Sequence, residues 1–240
     1  MILIGTIHSD LEGPKRLEYL LNKFNPKIIT IEFPDNFTIE EAEKFISNGK
    51  NQSRKEIKGF GLPENSKRLN YEGVDIISYE CIVPIEYSKK SNSNIYFVDH
   101  PDISSITKKK TEPSKTKINK LKELYGLVKD FSYEDLRRII VENFDKAYND
   151  KDILKMILKY NPLSGEEFFE KEFFEKEFQE KREQYMANKI IKIHPDKNDI
   201  HVGGMGHIFG DYDFIEVKLL YERLGNLVTK RIRLCDAYNE

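Results

Sequence analysis

Two copies of Gly-x-x-His, Gly5-Thr6-Ile7-His8 and Gly204-Met205-Gly206-His207, lie far apart in the chain and hold two of its five histidines. Each follows an apolar run, so each imidazole emerges where a strand ends. Glu32 closes a second apolar run and Asp99, followed by His100, closes a third. Neutral imidazole with carboxylate is a ligand set for zinc, manganese, cobalt or iron. The same groups work without metal when a histidine acts as general base and a carboxylate orients it or its water. Glycine shortly before each histidine lets the backbone bend sharply and lets substrate approach. Gly-x-x-His alone is a common pattern; its repetition at two strand ends, with a strand-end glutamate after the first, is the more specific signal.

The elements that must position these groups follow from periodicity. Residues 2–8 are isoleucine-rich and too short for a helix, which suits a strand buried on both faces. Gly13-Pro14 opens a helix through about Lys23 with Leu17, Leu20 and Leu21 on one face. Asn25-Pro26 breaks it, and residues 27–33 (KIITIEF) form a second strand. This order with short connections is the βαβ unit of a parallel sheet. Residues 95–99 and 199–203 read as further strands, and Gly225 closes a helix lying between 208 and 224. Residues 227–234 read as a final edge strand, with Val228, Ile232 and Leu234 opposite Thr229, Arg231 and Arg233. His8, Glu32, Asp99 with His100, and His207 thus all fall at carboxyl ends of strands, where open α/β sheets bind ligands.

The remaining segments are polar or helical. Residues 35–70 predict one short helix, Thr38 to Ser47, and then a loop through Asn48 to Ser53. A helical pattern resumes from about Tyr71 to Ser88, with Pro84 expected to kink or end it. Residues 103–193 read as almost wholly helical, broken at 112–114 and 161–164, with Ser164 and Glu167 as a capping box. The expected fold class is therefore α/β: a mostly parallel central sheet flanked by helices, one domain over 1–240, with a large all-helical insertion at about 103–193.

That insertion carries the one internal repeat, FFEKE at 168–172 and 173–177, then FQEKR at 178–182. A five-residue period advances about 140° per repeat on a helix, so it holds no single flat face. The helix 164–190 reads as packed structure, with a lid or a homodimer contact as its alternative.

Charged residues make up 33% of the chain, yet the formal net charge is −2. Interspersed charge argues against a dedicated nucleic-acid partner, and the lysines between 108 and 120 read as a solvated face. No run approaches the ~18 apolar residues of a membrane span. Residues 1–5 lack a basic leader and cleavage site, and Cys81 and Cys235 show no pairing framework, so a reduced, cytoplasmic protein is expected. A zinc site from His194, His201 and His207 is set aside, because roughly 3.3 Å per extended residue separates His201 from His207 by about 20 Å.

The motifs ILIGTIH (2–8), IITIEF (28–33), Glu80 before FVDHPD (97–102), REQYMA (182–187) and VGGMGH (202–207) together resemble the TraB/Tiki group, also described as TraB–PrgY–GumN, which is related in architecture to erythromycin esterase and ChaN-like proteins. The resemblance spans nearly the whole chain. It implies an α/β fold with paired Gly-x-x-His motifs and, for the Tiki branch, metal-dependent peptidase activity; TraB itself is associated with shutting down peptide pheromone signals. His8 and His207 match the motif histidines, Glu32 the paired carboxylate, Glu80 the helix glutamate, and Arg182 the arginine of the late Arg-x-x-x-Met pattern. Asp99 matches the aspartate of an Asp-Arg pair, in which His100 replaces the arginine.

These readings converge on a metal-assisted hydrolase of a peptide or a small amide or ester. A divalent ion (manganese, cobalt or zinc) is expected on His8, Glu32 and His207, with Glu80 or Asp99 as general base and Arg182 stabilising the oxyanion. The alternatives are a metal-independent, esterase-like hydrolase using His8 or His207 as base, and a non-catalytic protein that binds a peptide or haem.

Overall fold

The computed structural model describes residues 1–59, 63–102, 130–150, 152–153, 176–210 and 217–240. Five parallel strands form one sheet in the order β3-β2-β4-β1-β5: β1 (Ile2–Thr6), β2 (Ile28–Pro34), β3 (Asn94–Asp99), β4 (Ile200–Gly204) and β5 (Lys230–Arg233). The expected α/β fold is present, and β5 is an edge strand as its alternating pattern required. The sequence did not reveal that β4 lies between β1 and β2. Gly5 is thereby set opposite Gly203 and Thr6 opposite Gly204, and the Thr6 hydroxyl donates to Gly203 O at 3.1 Å. The two Gly-x-x-His strands are neighbours.

The sheet is apolar on both faces. Ile2 and Ile4 of β1 join Ile29, Ile31, Ile200 and Val202 on one side, under helix α1 (Gly13–Phe24) and helix α4 (Tyr79–Ser91). Met1 and Leu3 join Val98 on the other side, beneath helix α6 (Lys176–Ile193). Leu17, Leu20 and Leu21 of α1 are fully buried; each such side chain contributes about 1.5–3 kcal/mol of transfer free energy. Pro sits in the first turn of α1, and Asn25 ends the helix with φ 45°, its N–H on Leu21 O, a left-handed cap open to asparagine.

Several expectations are corrected. The chain over 38–53 is not a short helix and a loop but part of a 21-residue helix, α2 (Ile39–Gly59). Thr38 and Glu41 cap it reciprocally, Glu41 N–H to Thr38 Oγ1 and Thr38 N–H to Glu41 Oε2. Gly49 faces open space, and Lys50 Nζ donates to Asp75 O at 2.6 Å, fastening α2 to α3 (Glu64–Asp75). The pattern read as one helix from Tyr71 is two, broken by Ser78 at φ 59°. Pro84 lies inside α4 and does not end it: the helix runs on to Ser91.

Of the predicted helical insertion, α5 (Tyr133–Ala147) and α6 are described. The Ser164 capping box, the lysine-rich stretch and most of the FFEKE repeat, with the lid or homodimer contact that is its alternative reading, lie outside the described residues. The short helices α7 (Met205–Phe209) and α8 (Leu220–Leu224) precede a 3-10 turn at Gly225–Leu227, and a second 3-10 segment follows β5 at Leu234–Asn239. Among the described residues, no helix is long and apolar enough to cross a membrane. Both cysteines are free thiols.

Candidate functional site

Helix α6 buries Gln179, Arg182, Glu183, Met186, Ala187 and Ile190, one helical face at three- and four-residue spacing. Its apolar half covers the sheet and its polar half reaches the strand ends. Arg182, only 5% exposed, binds both oxygens of Asp99, Nε to Oδ1 at 2.8 Å and Nη2 to Oδ2 at 2.6 Å. Nη2 also donates to Glu32 Oε1 at 2.5 Å, and Nη1 lies 3.0 Å from His207 Nε2. Asp99 therefore finds its arginine on a distant helix. His100, where the resemblance expects that arginine, packs its ring 4.8 Å from Tyr185 and accepts the Asp102 N–H at Nδ1.

Glu32 is held from several sides. Gly204 N–H donates to its Oε2 at 2.6 Å, and His207 Nε2 lies 3.1 Å from its Oε1. Burial alone would raise this carboxyl, but His207 and Arg182 outweigh burial and hold it well below the usual carboxylate range. His207 Nδ1–H donates to Glu183. Burial opposes charge on this ring as well, yet Glu183 and Glu32 raise it to about 10. It stands as an imidazolium between two carboxylates.

The first motif histidine is different. His8 projects from the turn after β1 with its ring 75% exposed, and its Nδ1–H donates to Glu80 Oε1 at 2.7 Å. The charge of Glu80 is the main cause that raises His8 to about 9. Glu32 and Arg182 are near enough that their charges act on it too. All six predicted site residues thus meet at one end of the sheet, as an exposed His8 ring on buried Glu80 beside a buried Arg182–Asp99–Glu32–His207 cluster.

The metal set expected from His8, Glu32 and His207 is not gathered as ligands. Arg182 already places a cation against Glu32, the two ring nitrogens of His207 are engaged by Glu183 and Glu32, and His8 turns to Glu80. Among the described residues, no group of three or more His, Cys, Asp or Glu side chains is placed to hold a metal ion. These residues fit a charge network better than a cation site.

Three features escaped the sequence reading. Glu183 lies within REQYMA, but nothing local shows that it meets His207. His201, fully buried, has Nδ1 3.0 Å from Thr30 Oγ1 and Nε2 without a partner; burial lowers it to about 4, so it stays neutral. Rather than standing an extended 20 Å from His207, it is close enough for His207 to act on its titration. A side chain at Gly203 would come within 2.7 Å of His201 Nε2 and 3.0 Å of Glu32 Oε2, which explains the glycine.

The third is a buried lattice under the His8 turn. Arg16 Nη1 donates to Asp10 Oδ2 at 3.0 Å, the Tyr148 hydroxyl donates to the same oxygen at 3.0 Å, and Ile7 N–H donates to that hydroxyl at 3.2 Å. The Tyr79 hydroxyl donates to Ile7 O at 3.2 Å, and Gly13 is bare because a Cβ there would enter the Tyr79 ring. The peptide before His8 is therefore tied on both sides. In comparison with known proteins, no family model, no curated protein and no solved structure matches the chain.

Proposed function

We propose that the chain is a hydrolase of peptides or small amides and esters, of the kind its TraB/Tiki resemblance suggests, and that it activates water with His8 rather than with a metal. The observation that carries this reading is the His8–Glu80 pair: a carboxylate fixes Nδ1–H at 2.7 Å and leaves Nε2 of an exposed ring to face solvent. A histidine oriented in this way is the base half of a catalytic triad.

Neutral His8 takes a proton from water through Nε2 as the water oxygen attacks the carbonyl carbon. The carbonyl oxygen gains negative charge, and Arg182 with protonated His207 supplies the adjacent positive field. Collapse of the tetrahedral adduct breaks the bond to the leaving amine or alcohol, which receives the proton back from Nε2. Glu32, held by Gly204 N–H and Arg182, keeps that cationic pair in place. Because His8 titrates at about 9, the base form gains population as pH rises, and kcat/KM climbs from neutral pH through that range.

The test is hydrolysis of p-nitrophenyl acetate and of a peptide library by chelator-treated enzyme, His8→Ala and Glu80→Gln. Activity that survives chelation and is lost in His8→Ala supports the reading. Activity abolished by chelation and restored by manganese, cobalt or zinc would sink it in favour of the metal-dependent form.

A further inference from the structure

An open groove of about 560 Å³ runs along the outer edge of β3, between the start of α2 and the second half of α6. Its floor and walls include Ile95, Phe97, Phe37 and Ile193, with Lys189 and Lys192 on the rim. The volume lies within the 300–1,000 Å³ of small-ligand sites.

The backbone there is oriented for a partner. Asn94 N–H donates to Lys27 O across to β2 at 2.8 Å, and residues of a parallel strand alternate between the two sides. Ile95 and Phe97 therefore turn their N–H and C=O groups away from β2, into the groove. Among the described residues no strand pairs with this edge, which leaves two donors and two acceptors. The side chains of Ile95 and Phe97, the latter 5.1 Å from the Phe33 ring, offer apolar contacts on the face they share.

The charges at the groove's two ends are unequal. Lys189 is neutralised by Asp35, which also accepts the Tyr185 hydroxyl at 2.5 Å. Lys192 is exposed and meets no carboxylate among the described residues. The Asp35 end abuts the catalytic cluster: Asp35 N–H donates to Asp99 O at 3.1 Å, and Tyr185 is one turn along α6 from Arg182.

The geometry points to the β3 edge as a peptide-binding site, in which an extended apolar peptide adds as a sixth, antiparallel strand with its carboxyl end at Lys192 and its amino-terminal part at the catalytic cluster. This assignment of how substrate is held rests on the hydrolase reading. Main-chain hydrogen bonds supply affinity in strand addition and alternate side-chain contacts supply selectivity. The ten residues from Arg182 to Lys192 rise roughly 15 Å at 1.5 Å each, the length of about five extended residues.

Isothermal titration calorimetry with the pentapeptide Val-Thr-Val-Thr-Val tests this, using wild type, His8→Ala and Lys192→Glu. Two further peptides carry N-methyl groups, one at odd and one at even positions. Binding is expected in wild type and His8→Ala alike, weakened roughly tenfold by Lys192→Glu or by a carboxyl-terminal amide. One methylated peptide is expected to lose binding and the other to keep it, because only alternate N–H groups face β3. Equal binding of both methylated peptides, indifference to Lys192→Glu, or no heat at millimolar peptide would each overturn the site. p-Nitrophenyl acetate hydrolysis separates the two readings. Turnover without peptide binding removes the groove and keeps the hydrolase; peptide binding without turnover of ester or peptide does the reverse.

Discussion

The two Gly-x-x-His turns begin alike and end in opposite environments. The first leaves its imidazole 75% exposed with Glu80 as its carboxylate partner. The second encloses its imidazole, 14% exposed, between Glu183 and Glu32 beside Arg182. Such neighbours suit the two rings to different chemistry. A ring that must give and take protons needs an open nitrogen and one orienting partner; a ring that must supply a standing positive charge needs carboxylates on both nitrogens. One short motif therefore fixes where an imidazole emerges, and the surrounding helices decide what it does.

The largest effect that can break this contrast is removal of the cation on the buried side. Arg182→Met strips buried Asp99 of its ion-pair partner and Glu32 of one of its two cations, so chemical denaturation is expected to show a loss of about 3–5 kcal/mol. An unchanged midpoint would mean that the second turn is not held by charge. Next, Gly203→Ala forces a methyl against His201 and Glu32 and is expected to cost about 1–3 kcal/mol. Gly204→Ala serves as its control, since a Cβ there meets Glu32 Oε2 at 3.5 Å and His207 at 3.7 Å, ordinary contact distances.

The third concerns pH. His207 titrates at about 10 in the fold against 6.5 for an unperturbed imidazole, so its stabilisation is complete below 6.5 and is lost as pH rises through about 10. Melting temperature should fall across that window in wild type and fall less in His207→Gln. Equal slopes would remove the buried imidazolium. The smallest structural effect belongs to His8: because its ring is 75% exposed and its pair with Glu80 is screened by solvent, His8→Ala is expected to cost no more than about 1 kcal/mol while abolishing hydrolysis. Glu80→Gln should move the midpoint of the rise in kcat/KM from about 9 toward 6.5, because the carboxylate that raises His8 is gone.

The strands could be read from the sequence because burial on both faces compresses them into short apolar runs, and their polar ends then stood out. His8, Glu32, Asp99 and His207 were found that way. Strand order was hidden, since the position of β4 between β1 and β2 depends on pairing across most of the chain. For the same reason Glu183 and the Asp10–Arg16–Tyr148 lattice carry no local mark. Helix α2 was misread because Asn48-Gly49-Lys50 looks like a turn when only local composition is weighed. What keeps it helical is distant, as Lys50 Nζ reaches the Asp75 carbonyl on α3.

The pairing of Thr6 with Gly203, 197 positions apart, has a consequence for biosynthesis. At translation rates of about 5–20 residues per second, β1 waits roughly 10–40 s before its neighbours β4 and β5 are made. Through that interval it is a largely apolar strand with two unsatisfied edges, the sort of segment that ribosome-associated holdases shelter. Glu32 and Asp99 likewise wait as unbalanced carboxylates, because they are translated long before the arginine and imidazolium that balance them.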